Sequence, residues 1–209
     1  MIKIALTKGR LEDKTVERFA AAGYDVAALK NKGRKLILPL GEDIQVVLAK
    51  APDVLTYVER GVCDAGVVGK DTIMEYGGSY YEVADLGFGQ CRFALAVPEG
   101  ADFYAGYRTK RIASKYPKVA ADFFAGKGLD VEIIKIEGSV ELAPLLGLVD
   151  GIVDIVETGV TLKENGLVVC EYLADLSARF IVNTASMKLR KKELEEIIGN
   201  IERAIGQKE

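Results

Sequence analysis

The segment Gly151–Thr161 combines a buried strand with residues that could hold a phosphorylated sugar. Its apolar run carries one acidic residue, Asp154, and leads into a helix through the loop Glu157-Thr158-Gly159-Val160-Thr161. Backbone N–H groups at a helix start, two hydroxyls and a glycine that allows close approach form a cradle for phosphate. An acidic side chain just before such a loop is placed to hold ribose hydroxyls. Spacing alone leaves open a plain strand-to-helix turn with threonine caps.

Positively charged residues that could neutralise phosphate stand in turns that contain glycine. Lys8 and Arg10 flank Gly9 directly after the first apolar run, and Arg34 lies in the basic run Lys30–Lys35. From the residues alone, a solvated turn is the favoured explanation for the first pair, and a mobile solvated loop is the favoured explanation for the second. A flexible cationic loop could also close over polyphosphate.

Two further glycine-containing segments admit two interpretations each. Gly66-Val67-Val68-Gly69-Lys70-Asp71 resembles a nucleotide loop but is no P-loop, because Gly-Lys-Ser/Thr is missing. Asp71 is therefore either a helix N-cap or a contact to nucleotide. Arg92 ends the segment Gly87–Arg92, which is either a crossover between lobes or a place where this arginine touches ligand.

The composition excludes several classes of mechanism. The chain of 209 residues contains no histidine, so Ser-His-Asp triads, Cys-His pairs, His-ligated zinc and imidazole general bases are ruled out. Its three cysteines, Cys63, Cys91 and Cys170, are odd in number and far apart, so neither a disulfide framework nor a CxxC metal site can be drawn. Free thiols fit a reducing cytosol.

Charge and hydropathy limit the kinds of molecule that this protein could bind and the compartment in which it could occur. Lys and Arg number 28 against 31 Asp and Glu, and this net charge of −3 argues against a binder of nucleic acid. No apolar run approaches the ~20 residues of a membrane span. The N-terminal residues reach charge and glycine too soon for a signal peptide. We therefore expect a soluble cytoplasmic protein.

Apolar runs bounded by glycine alternate with helical patterns, which predicts an α/β chain with mainly parallel strands. A long amphipathic helix is predicted from Met187, with the apolar stripe Leu194, Ile197, Ile198, Ile201 and Ile205 serving as core or interface. The predicted strands are Ile2–Leu6, Ile44–Ala49, Ala65–Val68, Tyr81–Leu86, Phe93–Val97, Leu129–Ile136, Gly151–Val156, Leu167–Tyr172 and Arg179–Val182.

One internal repeat predicts two similar lobes. The segment that begins at Asp53 aligns without gaps on the segment that begins at Ser139: an N-cap residue opens a helix, a glycine ends it, and an aspartate precedes a buried strand. The glycines are Gly61 and Gly147, and the aspartates are Asp64 and Asp150. Chance recurrence of this pattern in α/β folds is the alternative. Two lobes would enclose a cleft, a favoured place for ligands.

The motifs in their order resemble those of the ATP phosphoribosyltransferases. Glu141, Gly147, Asp154, Thr158-Gly159 and Thr161-Leu162 match the family signature. The resemblance covers essentially the whole chain, through Ala5–Leu11, Gly33–Leu36, Asp53–Glu59, Gly66–Asp71 and Gly87–Arg92. Val149 stands where the signature has a small residue, and Lys50 stands where an arginine is usual.

The resemblance implies a fold, a reaction and a form of the enzyme. The fold is two α/β lobes of periplasmic-binding-protein-like architecture with a cleft between them: lobe I holds residues 1–87 and 170–209, and lobe II holds residues 88–169 with the phosphate loop. The reaction is displacement of pyrophosphate from phosphoribosyl pyrophosphate (PRPP) by N1 of the adenine of ATP, with Mg²⁺, as the first step of histidine biosynthesis. The length resembles the short catalytic form, which has no C-terminal regulatory domain.

The same resemblance implies residue roles and partners. Glu141 and Asp154 would hold the ribose hydroxyls, and the loop from Glu157 to Thr161 would bind the 5-phosphate. Positive charge for pyrophosphate and the ATP phosphates would come from Lys8, Arg10, Arg34 and Lys50, with Asp71 and Arg92 as further substrate contacts. A homodimer core joined by a regulatory subunit resembling histidyl-tRNA synthetase is expected. The rivals are a cytoplasmic binding or sensor domain and a phosphoribosyltransferase that uses another base.

Overall fold

Strands and helices alternate from Ile2 to Gly206 in a computed structural model that describes residues 1–206, with side chains up to residue 204. The strands are β1 Ile2–Thr7, β2 Ile37–Leu40, β3 Ile44–Ala49, β4 Ala65–Gly69, β5 Tyr80–Asp85, β6 Cys91–Pro98, β7 Lys110–Ser114, β8 Val131–Lys135, β9 Gly151–Val156, β10 Leu167–Leu176 and β11 Ala178–Asn183. The helices are α1 Arg10–Ala21, α2 Ala27–Lys30, α3 Ala51–Glu59, α4 Lys70–Tyr76, α5 Pro117–Gly126, α6 Leu142–Leu145, α7 Val160–Glu164, α8 Thr184–Leu189 and α9 Lys191–Gly206.

The chain divides into two units, each with its own sheet. Unit 1 comprises Met1–Gly89 and the chain from Ser177 onward, and unit 2 comprises Gln90–Leu176. Residues 88 and 89, predicted for the second lobe, belong to unit 1. Our placement of residues 170–176 in the first lobe was also wrong. These residues complete β10, which pairs along its whole length with β6 of unit 2, from Leu167 opposite Pro98 to Leu176 opposite Cys91.

The sheet of unit 1 has six strands in the order β2-β3-β1-β4-β11-β5. β1 is parallel to both β3 and β4, and β11 is antiparallel to both β4 and β5. Alternate residues of β1 face opposite sides: Ile4 and Leu6 pack with α1 and α9, whereas Ala5 packs with α3. Helices therefore cover both faces of the sheet.

Unit 2 repeats this topology with five strands in the order β10-β6-β9-β7-β8. β7 is parallel to both β8 and β9, and β6 is antiparallel to both β9 and β10. Each strand has a counterpart in unit 1: β7 matches β1, β8 matches β3, β9 matches β4, β6 matches β11 and β10 matches β5. The prediction of two similar α/β lobes is confirmed.

The aspartates of the repeat make the same hydrogen bonds in both units. Asp64 accepts a bond from the backbone N–H of Lys3 (2.8 Å) and donates its own N–H to the Lys3 carbonyl (2.8 Å). Asp150 accepts from the N–H of Arg111 (2.8 Å) and donates to the Arg111 carbonyl (2.8 Å). Each aspartate thus joins the start of its strand to the start of the neighbouring parallel strand.

The last helix closes the core of unit 1. Leu194, Ile197 and Ile201 are buried in the cluster that contains the β1 side chains, and Ile198 packs against it. This settles the choice between core and interface for these residues in favour of core; the Ile205 side chain lies outside the described residues. The predicted single helix from Met187 is two helices, because the backbone departs from helical geometry at Arg190.

Two sequence-based assignments of helix starts need correction. Lys50, not Asp53, is the N-cap of α3, because Pro52 occupies the first turn, where its missing N–H costs nothing. Glu141, not Ser139, is the N-cap of the four-residue α6. The glycines that follow these helices do lie in the left-handed region, with φ of 70° at Gly61 and 69° at Gly147.

Two strands were not predicted from sequence. β2 contains Pro39, a residue that marks a strand as an edge strand, and β2 is indeed the edge of its sheet. β7 has only two apolar residues, Ile112 and Ala113, between polar neighbours. This apolar run is too short to be recognised as a strand from the sequence. Within residues 1–206, no helix has the length and hydropathy needed to cross a bilayer.

Asn183 ties the end of β11 to two helices, and its replacement tests the packing of unit 1. Its Oδ1 accepts from the N–H groups of Ala185 (3.0 Å) and Ser186 (2.9 Å), and its Nδ2 donates to the Val58 carbonyl (2.8 Å). Because Asn183 is buried, Asn183→Ala removes the cap of α8 and one of the two hydrogen bonds that the Val58 carbonyl accepts, since the Gly61 N–H still donates to it (3.1 Å). We expect the free energy of unfolding to fall by about 2 kcal/mol.

Urea unfolding followed by circular dichroism measures this change. Asn31→Ala is the matched control, since Asn31 is exposed and its Nδ2 makes one bond to the Ala27 carbonyl. We expect this control to cost less than about 0.5 kcal/mol. Equal losses in the two variants would contradict the role given to Asn183.

Candidate functional site

The predicted sugar-phosphate residues of unit 2 lie at one edge of its sheet. Asp154 is near the carboxyl end of β9, and the loop that begins at Glu157 follows this strand directly. Arg92 reaches the same edge from the antiparallel strand β6, where it pairs with Val156. Ligands of open α/β sheets bind beyond the carboxyl ends of the parallel strands, so the position suits a binding site.

Burial raises the pKa of Asp154 from 3.8 to about 6. The backbone N–H of Ile155 donates to its Oδ1 (2.8 Å) and opposes this rise, whereas the negative charge of Glu141 adds to it. The charge of Lys115 lowers the pKa. Asp154 is therefore a carboxyl group whose charge changes close to neutral pH, beside a second carboxylate.

Glu141 precedes α6 as its N-cap, and its side chain makes no capping hydrogen bond. It is half-buried and close enough to Asp154 for the two charges to interact. Two carboxylates held near each other resist joint ionisation. Hydrogen-bond donors or cations brought by a ligand would relieve this repulsion, which makes the pair suitable for holding hydroxyls.

The loop after β9 bends at Gly159, which has a φ of 76° and is the N-cap of α7. A Cβ at this position would meet only the Val156 side chain, at 3.9 Å. The left-handed backbone conformation at this position, and not a lack of space for a side chain, is therefore the reason for a glycine here. The Thr158 hydroxyl accepts from the N–H of Val160 at 3.4 Å.

The two threonine side chains and that of Val160 are exposed. The first helical N–H groups of α7 have no intrahelical partners, as at every helix start. The loop thus presents hydroxyls and backbone donors to solvent, as the cradle prediction requires. Which ligand they bind stays a prediction.

Lys115 is a residue of this edge that sequence reasoning missed. It follows β7 directly, and β7 is parallel to β9 with Ser114 opposite Val153. The Ser114 hydroxyl donates to the Val153 carbonyl (2.6 Å) and accepts from the N–H of Tyr116 (2.9 Å), which holds the chain at this point. Only recognition of β7 as the neighbour of β9 could have revealed Lys115.

Arg92 lies against the face of an aromatic ring. Its guanidinium carbon is 4.1 Å from the centroid of Tyr172, and its Nε is 3.9 Å from the Asp175 carboxylate. About half of the side chain remains exposed (52%). Stacking of this kind fixes the direction of the guanidinium and leaves its edge available for an anion.

Unit 1 gathers its predicted residues at the corresponding edge. Lys8 follows β1, Lys50 follows β3, and Asp71 comes just after β4, all at carboxyl ends of parallel strands. Lys8 and Lys50 are exposed, and Asp71 is half-buried. Arg10 is the exposed first residue of α1.

A cationic pocket of about 270 Å³ lies beside the start of α1. Its charged lining residues are Lys8, Lys32, Arg34, Lys35 and one carboxylate, Glu12. Lys8 and Arg34 are thus brought together, as predicted for a phosphate site. We call this the Lys8 pocket.

The structure excludes the N-cap alternative for Asp71. Gly69 is the N-cap of α4, and Asp71 stands in the first turn, where a negative charge favours the helix dipole. The Asp71 carboxylate folds back over Gly69: a Cβ on that glycine would lie 2.0 Å from its Oδ1. The Thr72 hydroxyl donates to its Oδ2 at 3.3 Å. A contact to nucleotide stays a prediction.

Comparison with known proteins identifies the family of this chain. Residues 50–203 match the family model described as ATP phosphoribosyltransferase. The ATP phosphoribosyltransferase of Clostridium kluyveri is 59% identical over 202 residues, which cover 96% of this chain and 92% of that protein.

Two solved structures extend the comparison. The ATP phosphoribosyl transferase (HisG:HisZ) complex from Thermotoga maritima matches with a TM-score of 0.85 and 33% identity, over 99% of this chain and 100% of that one. The periplasmic aliphatic sulphonate binding protein SsuA from Escherichia coli matches with a TM-score of 0.62 and 11% identity, over 98% of this chain and 72% of that one. At this low identity, the match shows the fold alone. The periplasmic-binding-protein-like architecture is thereby confirmed, and the chain belongs to the ATP phosphoribosyltransferase family, which catalyses the first step of histidine biosynthesis.

Proposed function

We propose that this chain transfers the 5-phosphoribosyl group of PRPP to N1 of the adenine of ATP and releases pyrophosphate. The observation that carries the proposal is the sheet edge of unit 2, where two interacting carboxylates, Glu141 and Asp154, precede a loop of hydroxyls and backbone donors in a chain of this family. A ribose with a 5-phosphate matches this order of groups.

The reaction requires no proton-transferring base at the attacking atom. The lone pair of adenine N1 forms the new bond to C1 of the ribose, while the bond from C1 to the pyrophosphate oxygen breaks with its electron pair. Positive charge develops on the ribosyl group and negative charge on pyrophosphate. The protein must therefore supply position and electrostatic stabilisation, which a chain without histidine can do.

For the ribose of PRPP, we propose that Asp154 and Glu141 accept hydrogen bonds from its two ring hydroxyls. Their negative charge also stabilises the positive charge that develops at C1. The loop from Glu157 to Thr161 binds the 5-phosphate with backbone N–H groups and with the hydroxyls of its two threonines. Arg92 adds a guanidinium at the same edge.

At the pyrophosphate end, we propose that Lys8, Arg10, Arg34 and Lys50 neutralise the phosphates of PRPP and ATP. The Lys8 pocket supports this for Lys8 and Arg34, which line it together with two other cations. Asp71 is proposed as a further contact to ATP.

We propose Mg²⁺ as the metal that accompanies the substrates. Among the described residues, no group of three or more Asp, Glu, Cys or His side chains forms a site for a metal by itself. This fits an ion whose main ligands are substrate phosphates and water, with one or two carboxylates of the protein. When bound, the ion neutralises negative charge on pyrophosphate. Asp154 and Glu141 are the carboxylates of the proposed ribose site that could contact it.

We further propose that the chain forms a homodimer that assembles with a regulatory subunit resembling histidyl-tRNA synthetase. The similar structure from Thermotoga maritima is a HisG:HisZ complex. We propose a cytoplasmic location, which is supported by three cysteines that are odd in number and far apart in the sequence, as in proteins of a reducing compartment.

Asp154→Asn tests the ribose site. We expect the affinity for PRPP to fall by at least about tenfold, because an amide replaces the charged acceptor of the hydroxyl bonds. Calorimetry measures binding, and the near-ultraviolet absorbance of the adduct with ATP and PRPP, with the regulatory subunit present, measures turnover. Near-normal turnover in both Asp154→Asn and Glu141→Gln would remove these residues from the site. PRPP binding by the wild type without any adduct would indicate a binding domain instead.

The pH dependence of PRPP affinity provides a second test of the role of Asp154. Since the pKa of Asp154 is raised to about 6, its carboxylate forms as the pH rises through that value, and PRPP affinity should rise with it. The ligand's own phosphate also titrates near pH 6, so the measure is the ratio of wild-type to Asp154→Asn affinity. In Glu141→Gln, the midpoint of the rise should move to lower pH, because a charge that raises the pKa is gone.

The phosphate loop is tested with Thr158→Val and Gly159→Val. We expect about tenfold weaker PRPP binding when the hydroxyl is lost, and a larger loss at Gly159, whose left-handed backbone a β-branched residue does not tolerate. Gly128→Val is the control for backbone strain in the same unit, since Gly128 has a φ of 67° and open space around it. Unchanged calorimetric affinity in both loop variants would leave the loop as a helix cap only.

The proposed assembly predicts how histidine acts. The purified chain should be at least a dimer and should show weak or no inhibition over a histidine titration. Addition of the regulatory subunit should increase the mass measured by light scattering, raise the activity and introduce inhibition by histidine. Strong inhibition of the chain alone, or an unchanged mass after mixing, would contradict the proposal.

A further inference from the structure

A buried carboxylate stands in the wall of the Lys8 pocket. Glu12, in the first turn of α1, is only 3% exposed, and its Oε1 lies 2.5 Å from the Nζ of Lys32. Glu12 is buried, whereas the Lys32 side chain is 37% exposed, so the attraction between them has to offset mainly the desolvation of the carboxylate. Such an ion pair is weak evidence for a role in stability, and its place in the wall of the pocket points to a second role.

Lys32 belongs to a short turn that the ion pair holds against α1. The N–H of Lys35 donates to the Lys32 carbonyl (3.0 Å), which closes the turn, and the N–H of Leu48 donates to the Leu36 carbonyl (2.8 Å), which anchors its far end to β3. Arg34 and Lys35 are exposed, whereas Lys32 is half-buried. Through Lys32, Glu12 fixes the turn that carries the other basic residues.

The pocket's charge and size suit a diphosphate group. Four cationic side chains and one carboxylate line it, so its balance is positive even with Glu12 ionised. Its volume of about 270 Å³ is just below the ~300 Å³ at which sites for whole drug-sized ligands begin. It suits a fragment such as a pair of phosphates rather than a whole nucleotide.

We propose that Glu12 is a positioning residue that holds Lys32 in the Lys8 pocket, so that Lys32 joins Lys8 and Arg34 in binding the diphosphate portion of a substrate or the released pyrophosphate. The inference rests on the proposed function for the identity of the substrate. It adds two residues, Glu12 and Lys32, to the proposed phosphate-binding groups of unit 1. Lys32 contacts the anion, whereas Glu12 acts only through Lys32.

Binding of inorganic pyrophosphate to the full chain, measured by calorimetry, tests the proposal. Lys32→Met should weaken binding about tenfold, the loss of one charged hydrogen bond. Glu12→Gln is the decisive variant. Removal of a negative charge near an anion would by itself tighten binding, whereas loss of positioning should weaken it by about threefold to tenfold.

A double-mutant cycle separates positioning from general disruption. Glu12→Gln should cause no further loss in a Lys32→Met background, because the lysine that it positions is already gone. Lys32→Arg should restore binding to near the wild-type value, since it keeps the charge and can pair with Glu12. The matched controls are Lys14→Met and Glu17→Gln, which break an exposed pair on the same helix (3.0 Å) and should change binding less than twofold.

Tighter or unchanged pyrophosphate binding by Glu12→Gln would overturn the inference, as would an equal loss in the Lys32→Met background. Failure of the proposed function gives a different result: the wild-type chain would bind pyrophosphate but form no adduct from ATP and PRPP. In the adduct assay, the Glu12→Gln variant should mainly raise KM and leave kcat within about threefold, because Lys32 is proposed to bind rather than to react.

Discussion

The register between neighbouring parallel strands is the constraint on which both candidate sites depend. Asp64 in unit 1 and Asp150 in unit 2 each clasp the backbone at the start of the adjacent strand with the same two hydrogen bonds. A slip of one residue would turn the buried faces outward. It would also move the loops at the carboxyl ends of these parallel strands. Those loops carry proposed phosphate-binding groups of both units.

The two units share one topology but place different charged groups at the corresponding edges of their sheets. The edge of unit 1 collects cations in the Lys8 pocket, where a single carboxylate, Glu12, is paired with a lysine. The edge of unit 2 collects carboxylates, and burial together with Glu141 keeps the pKa of Asp154 high. Groups with a shifted pKa or like charges close together are common where a site binds a ligand.

The two units also show that the same strand topology can carry connections of different length and conformation. After β4, the chain enters α4 at once, and Gly69 is its N-cap. After β9, three residues intervene before α7, and Gly159 in a left-handed conformation redirects the chain. The longer connection exposes hydroxyls and backbone donors, whereas the shorter one buries Thr72 and turns Asp71 back over the backbone.

The sequence by itself determined the α/β class, most strands, the repeat and the hydroxyl loop, because these depend on periodicity and on residues close together along the chain. Tertiary structure decided the rest. Residues 170–176 belong to unit 2 because β10 pairs with a distant strand, and Lys115 approaches Asp154 only because β7 lies beside β9. The pairing of Glu12 with Lys32 and the raised pKa of Asp154 likewise arise from burial and from neighbours far away in the chain, and no local pattern of residues encodes either.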